Sequence, residues 1–355
     1  MGRTDAFRQM LDDLGADWTE RAGAAVVSRY TDVDAEYEAI AGAGFAVVDR
    51  SERELVVCTG VDVVELLQGL VTSDVFALAE PGAGQATCAV DVNGRMVGDA
   101  RLLHVEDMLL MDLEPGLIAD GFVAHFRGNV ISEDARFTDR SGATARIGVF
   151  GAGAASALTG LIDLAHDPAE LADWSATWGT RDGVDLIVQR VRWTSAPGFE
   201  IVCGVDEAAG VLDALIASGG TPAGFEALET HRVEAGIPRW GAELDRRVIP
   251  LEAGLDDALS FDKGCYLGQE IIARLDTLGE PARRLRTLVL EGDHVPERGT
   301  DVTDDDKTVG EVRSAVYSPA IGAPIALAYL KRKHNDPGLQ VRVGDAAAVV
   351  RTKPT

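Results

Sequence analysis

The sequence predicts an α+β chain in which two mixed units are followed by a small C-terminal β-barrel. Three observations carry that prediction. Short β-type runs alternate with stretches of helical spacing through residues 1–282. Asn93-Gly94 sits between two apolar runs, which is the strongest short-range signal for a hairpin. From Arg283 onward only short β runs remain, punctuated by turns near Gly292, Gly299, Pro319, Pro337 and Gly344, as in a small barrel.

In chain order, an amphipathic helix is expected at 7–14, β runs at 44–49 and 54–58, and a helix at 63–70 that Thr72-Ser73-Asp74 ends. The hairpin then spans 85–92 and 95–105. A strand at 108–113, a helix opened by Pro115 and a strand at 130–137 follow. The polar, small-residue stretch 140–145 suggests a boundary. After a strand at 146–150 comes Gly151-Ala-Gly153-Ala-Ala-Ser156, which invites a dinucleotide reading. The third glycine is missing and no strand-end acid lies about 20 residues on, so a glycine-rich helix start without a nucleotide is preferred. Strands at 184–191 and 198–203, a helix after Asp206 and a helix at 222–236 complete this part. The expected units are 1–140, 141–282 and 283–355, since 355 residues exceed what one core organises.

Composition narrows the function classes. The formal net charge is −25, and only five of the 33 basic residues are lysine. Such a surface suits concentrated salt, where self-repulsion is screened, and a halophile's cytoplasm is expected. The same charge argues against broad binding to nucleic acid or anionic membrane. Cys58, Cys88, Cys203 and Cys265 are far apart with no C-x-x-C pair, which excludes a disulfide framework and a self-contained zinc ribbon. The N-terminus has no apolar signal core, and no apolar run is long enough to span a bilayer.

Chemistry concentrates in two stretches. Asp262-Lys-Gly-Cys-Tyr-Leu-Gly-Gln-Glu270 holds an amine, a thiol, a phenol, an amide and a carboxylate, and Lys263 is the first lysine in the chain. A neighbouring cation favours the reactive thiolate. The plainer reading is a tight turn before a helix, with Cys265 a small buried apolar residue. The second stretch, Glu229 to Gly241, carries Arg232, Glu234, Arg239 and Trp240. Guanidinium forks suit carboxylate recognition, and Trp193 and Trp240 offer faces for a flat heterocycle. Ion pairing on a solvated face explains such arginines equally well, and His231 is read as a surface or core histidine.

Lys263-Gly-Cys-Tyr-Leu-Gly-Gln-Glu270 resembles the K-G-C-[YF]-x-G-Q-E signature of YgfZ-type tetrahydrofolate-binding proteins, whose mitochondrial relatives serve iron–sulfur cluster assembly. Leu67-Gln-Gly-Leu-Val-Thr-Ser-Asp74 and Asp91-Val-Asn-Gly-Arg95 agree with that family in order. His231-Arg-Val-Glu-Ala-Gly236 and Pro250-Leu-Glu-Ala-Gly254-Leu resemble elements shared with the glycine-cleavage T-protein, the aminomethyltransferase. The resemblance implies three domains in a ring with folate in a central channel. It further implies tetrahydrofolate or a one-carbon derivative as cofactor.

Two departures separate the relatives. The T-protein's Y-T-G-E-D-G-F-E aligns with Trp193-Thr-Ser-Ala-Pro-Gly-Phe-Glu200, leaving Ala196 where the first Glu is expected to hold the pterin. Its paired Asp-Asp becomes Gly98-Asp99. The YgfZ-type reading accounts for Lys263 and Cys265, which aminomethyl transfer does not need. The leading expectation is therefore a folate-binding protein that supports iron–sulfur assembly or repair, with Cys265 activated by Lys263. Asp99 is then an acid–base candidate, and Arg232, Glu234, Trp193, Arg239 and Trp240 shape the folate site. Gln269 and Glu270 brace the thiol loop. Its partners would be iron–sulfur client or assembly proteins. The alternatives are an aminomethyltransferase acting with a lipoyl carrier protein, and a folate-binding scaffold without chemistry.

Overall fold

A computed structural model describes residues 2–352. A two-stranded hairpin of Asp17–Arg21 and Ala24–Arg29, two larger antiparallel-rich sheets and a closed barrel make up the strands among the described residues. The five-stranded sheet runs in spatial order Gly84–Val90, Met96–Val105, Met108–Leu113, Glu54–Thr59, Arg136–Asp139. Its hairpin forms at Asn93-Gly94 as the residues predict. The Asp91 carboxylate accepts from the Asn93 and Arg95 amides at 2.8 and 3.0 Å, and Gly94 takes φ 71°, a left-handed geometry that glycine adopts without penalty. One side of the sheet buries Val56, Met96, Leu102, Met111, Phe122 and Phe126 in a single core.

The seven-stranded sheet is ordered Asp163–Leu164, Ala176–Arg181, Val184–Val191, Gly198–Gly204, Thr144–Phe150, Ala46–Asp49, Thr221–Pro222. Its core joins Phe7, Leu11, Val27 and Val47 to Ile147, Val149, Ile201 and Leu212. The first fifty residues therefore complete this sheet, since Ala46–Asp49 pairs antiparallel with Thr144–Phe150. Conversely Val233, Trp240, Leu244, Val248 and Ala258 pack into the other unit's core. The expected units 1–140 and 141–282 thus correspond to neither core, because the chain crosses between the sheets in both directions.

Two local expectations are corrected. Of the expected 130–137 strand only residues 136 and 137 lie in the sheet, as the start of Arg136–Asp139, and the helix expected from Pro115 begins at Phe122 after a series of turns. Gly151 and Gly153 have a packing reason. A Cβ on either would lie 2.7 or 3.1 Å from the Gly44 carbonyl oxygen, and the Gly153 amide donates to that oxygen at 2.9 Å. Close approach of two backbones explains the glycines without a nucleotide.

The barrel closes through Arg283–Leu290, which pairs with both Ala323–Lys331 and Ala346–Arg351. The remaining members are Asp301–Asp304, Lys307–Ser318 and Gln340–Val343. The short Asp301–Asp304 strand carries three polar residues in four, too little alternation to be read from sequence. The α+β class and the terminal barrel are as the pattern predicts.

Phe126 is fully buried, edge-on to Phe122 at 5.1 Å and stacked on Phe137 at 5.5 Å between ring centroids. Phe126→Ala should therefore cost about 3–5 kcal/mol through lost transfer energy and a residual cavity, read from the urea midpoint. A cost under about 1 kcal/mol would mean that the site collapses freely.

Candidate functional site

The candidate site lies where the two sheets and the Phe225–Glu234 helix meet. It grows from strand alternation. Residues i and i+2 face the same side of a strand, so Asp99 and Arg101 share one face of Met96–Val105. Asp112 lies directly across from Arg101 on the neighbouring strand, and Glu114 follows two residues on. The second sheet supplies Arg146 and Glu200, and the connecting segment supplies Arg50, Glu52 and Arg53. All of these side chains are buried.

The ion pairs are well formed. Arg53 grips both Asp112 oxygens with Nε and Nη2 at 2.8 and 2.7 Å while Nη1 donates to Glu114. Arg146 bridges Asp112 at 3.1 Å and Glu200 at 2.8 Å. Glu200 also accepts from Trp193 Nε1 at 2.8 Å. Arg21, from the tip of the Asp17–Arg29 hairpin, donates to Glu114 at 2.9 Å and covers the Phe225 ring at 4.0 Å. Such fork geometry makes buried pairs tolerable, since isolated buried charge is costly. Burial opposes ionisation of Glu114, but Arg53 and Arg21 outweigh it and hold the carboxyl well below its usual range. Asp99 behaves in the opposite way. Burial pushes its carboxyl up, and Arg101 offsets this only in part.

Of the residues singled out from sequence, three converge here. Asp99 donates nothing and accepts from Arg101 through Oδ2, while its buried Oδ1 has no partner among the described residues. Trp193 stands edge-on to Trp174 at 5.8 Å. Arg239 donates to Glu229 at 3.1 Å and lies 5.5 Å from the Phe225 ring centre. Trp193, however, offers no open face: it is 3 % exposed, with Arg50, Arg53 and Arg101 at 5.4, 4.5 and 4.7 Å from its ring centre. Its face holds guanidiniums in place.

The others go elsewhere. Arg232 is buried between Glu229 and Glu243 and reaches Ser314 of the barrel at 3.1 Å. Burial works against Glu229, but Arg232 and Arg239 outweigh it and draw its carboxyl down to about 2. Glu234 accepts from Tyr37 and Ser318, and so joins helix Val33–Ala41, helix Phe225–Glu234 and the barrel. His231 stacks on Tyr37 at 4.1 Å, a core histidine. Trp240 belongs to the five-stranded sheet's core, its Nε1 directed at Asp120. These are braces for the helix and barrel, not walls of the central cluster.

The Lys263–Glu270 stretch packs over residues 69–73 and the hairpin tip. Leu267 N donates to Gly69 O at 3.1 Å, and Gly268 abuts Asp91, whose carbonyl a Cβ would meet at 2.3 Å. Lys263 Nζ donates to the carbonyls of Val71 and Ser73 at 2.9 and 2.7 Å. That amine is therefore spent on backbone carbonyls, which corrects the expectation that it activates Cys265. Cys265 is itself exposed, unlike the three other cysteines, so it is not the small buried residue of the plainer reading. Gln269 accepts from the Tyr266 amide at 3.2 Å, bracing the loop locally, and Glu270 faces solvent. Thr72 links the loop to the central sheet: its hydroxyl donates to Ala258 O and accepts from Cys88 N, and Cys88 is the cross-strand neighbour of Asp99.

Sequence reading missed Arg53, Arg101, Asp112, Glu114, Glu200 and Trp174. For Arg101, Asp112 and Glu200 the signal is charge inside otherwise apolar strands. Ala196, at the position where the resemblance expects a pterin-holding Glu, lines a 530 Å³ pocket beside Arg190 and Arg192, and Glu200, four residues later, is buried against Trp193.

Residues 7–263 match the model of the GCVT N-terminal domain, and residues 283–354 match that of the glycine cleavage T-protein C-terminal barrel domain. The chain belongs to the glycine cleavage T-protein family. It is 29% identical to an aminomethyltransferase from Streptomyces coelicolor, covering 96% of this chain and 93% of that one. It is 30% identical to an aminomethyltransferase from Cutibacterium acnes over 90% and 88% of the two chains. The crystal structure of glycine cleavage system aminomethyltransferase T from Bartonella henselae superposes with a TM-score of 0.86 at 20% identity, covering 98% of this chain and 96% of that one. These matches support the T-protein family as a whole; they do not carry the narrower YgfZ-type assignment.

Partial burial draws the Lys263 amine down to about 8 from its ordinary 10.5. Between those values the unfolded chain binds more protons than the folded one, so this residue makes stability rise with pH across the window. Relative to Lys263→Met, wild type should gain stability between about pH 8 and about pH 10.5, measured by urea midpoints. Parallel curves for the two proteins would refute a desolvated ammonium.

Proposed function

We propose that this chain is a folate-dependent one-carbon transferase of the aminomethyltransferase type, with tetrahydrofolate as substrate in the central cluster and a lipoyl carrier protein as partner. The observation that carries the reading is Asp99: a buried carboxyl, raised by burial, with one oxygen unpartnered, in a chain of the T-protein family. A carboxyl raised by burial holds its proton more firmly and can hand it to, or take it from, a reacting group. The relatives named aminomethyltransferase, aligned over nearly the whole chain, support the same reaction class.

The residues present suit the substrate. Tetrahydrofolate would present a flat pterin with polar edges and an anionic tail. Asp99 Oδ1 would meet a reacting amine, holding or releasing its proton as carbon is transferred. Arg239, whose buried Nε has no partner among the described residues, would meet the anionic tail. Phe225, beneath Arg21 and Arg239, supplies an apolar wall. The closed ion-pair lattice behind them excludes water and keeps these groups oriented, which lowers the reorganisation needed during transfer.

The YgfZ-type reading, support of iron–sulfur client or assembly proteins, is retained second on one observation: Cys265 alone of the four cysteines is exposed, at the centre of its motif. The two readings separate cleanly. In a reconstituted assay with a loaded lipoyl carrier, Asp99→Asn should lower kcat by about 10²–10⁴-fold and leave tetrahydrofolate binding within about twofold. Absence of folate binding by wild type would overturn the first reading. Cys265→Ala should leave the carrier assay unchanged, and should abolish support of cluster-dependent enzymes in cells if the second reading holds. Full support by that variant would eliminate the thiol.

A further inference from the structure

The layer between the two sheets changes character along the strands. At one end the facing positions are charged: Arg53, Arg101, Asp112 and Glu200. Two residues away along the chain the same faces are apolar, and Leu55, Leu103, Leu110 and Val202 share one cluster with Val105 and Ala176. Past that cluster a 960 Å³ cavity opens between the sheets. Leu55, Val57, Met108 and Leu110 form its wall on the five-stranded side, and Trp178 and Ile187, cross-strand neighbours, on the seven-stranded side. Among the described residues no member of the central cluster lines it. Its size and apolar walls are those of a small-molecule site, about 300–1,000 Å³.

The mouth of the cavity carries charge of one predominant sign. Asp163 and Asp185 both face Thr180 across neighbouring strands. The three side chains therefore stand in one row, on the face that also carries Trp178 and Ile187. Glu106 adds a third carboxylate from the turn after Met96–Val105. Arg140 is the only cation in the lining among the described residues, and Arg181, beside the row, pairs with Asp182 at 3.3 Å. Three carboxylates against one guanidinium make this mouth negative, in a chain of net charge −25. An anionic amphiphile, or a second copy of the chain, meets repulsion there. A hydrocarbon body with a positive group meets a complementary field, and the Trp178 ring offers that group a further attraction.

We propose that this cavity binds an organic cation with a hydrocarbon body, an amphiphilic amine, at a position separate from the folate site. The hydrocarbon would cover the apolar walls, and the ammonium would stand among Asp163, Asp185 and Glu106. The inference goes beyond the one-carbon reading and does not depend on it.

The test is calorimetric titration of the wild-type protein with octylammonium, octanoate and 1-octanol, which share a body and differ in charge. Octylammonium should bind at least about tenfold more tightly than octanoate, and about 1 M sodium chloride should shrink that margin. The double variant Asp163→Asn, Asp185→Asn should erase most of the margin while leaving octanol binding within about twofold. Val57→Trp and Ile187→Trp, each filling the cavity from a different sheet, should weaken all three ligands by about tenfold or more, with circular dichroism confirming both folds. Saturating tetrahydrofolate should leave octylammonium binding unchanged, and its displacement would overturn the proposal by making the two positions one. Octanoate binding as tightly as octylammonium would overturn it in favour of an anion held at Arg140. No octylammonium binding up to about 5 mM, or binding that both tryptophan variants retain, would also overturn it. Self-association of the wild type that Val57→Trp abolishes would overturn it in favour of a second copy.

Discussion

The grip of Arg53 on Asp112 and Glu114 is the constraint around which the rest is arranged. Arg53 sits where the chain leaves the seven-stranded sheet and enters the five-stranded one, between Ala46–Asp49 and Glu54–Thr59. Its fork bonds both Asp112 oxygens, and Asp112 is tied through Arg146 to Glu200 in the other sheet. Remove one member and the remainder is buried, charged and unpaired, which costs far more than the pair contributes. The two sheets have their own main cores and share an apolar cluster of Leu55, Leu103, Val105 and Leu110 with Ala176 and Val202; the polar lattice registers them against each other as well. Apolar contacts alone tolerate sliding; bidentate pairs do not.

That lattice also explains why the centre is suited to chemistry. Glu114 and Asp112 are held ionised by guanidiniums. Asp99 differs from them, paired with Arg101 on one oxygen only and raised by burial. Two acids a strand apart therefore differ in proton affinity because their neighbours differ, the general device by which one site holds both an acid and a base. Trp193 and Trp174 serve this arrangement indirectly, keeping three arginines fixed over an aromatic face.

The Lys263–Glu270 motif occupies a different place. Its glycines allow the loop to lie against the hairpin tip, and its lysine fastens the 71–73 segment. It touches the central sheet through Thr72 and Cys88, one strand from Asp99. A motif specific enough to suggest a subfamily thus does structural work with most of its residues, leaving the Cys265 thiol and the Glu270 carboxylate exposed. The family matches, which weigh the whole chain, point to the broader T-protein relationship instead.

By itself the sequence determined the local elements. The Asn93-Gly94 hairpin, the glycine-led helix at Ala154–Leu161 and the barrel strands after Arg283 follow from turn chemistry and side-chain period, which act over a few residues. It also marked Asp99, Trp193 and Arg239. What only the tertiary structure decided was which segments share a core and which charges meet. The return of residues 1–50 to the second sheet, the packing of Trp240 in the first, and the convergence of Arg53, Asp112, Glu114, Arg146 and Glu200 join residues up to about 200 positions apart. No local preference encodes such pairings. They are fixed by the joint cost of leaving apolar surface wet and charge unpaired, a sum over the whole fold that no single stretch of sequence contains.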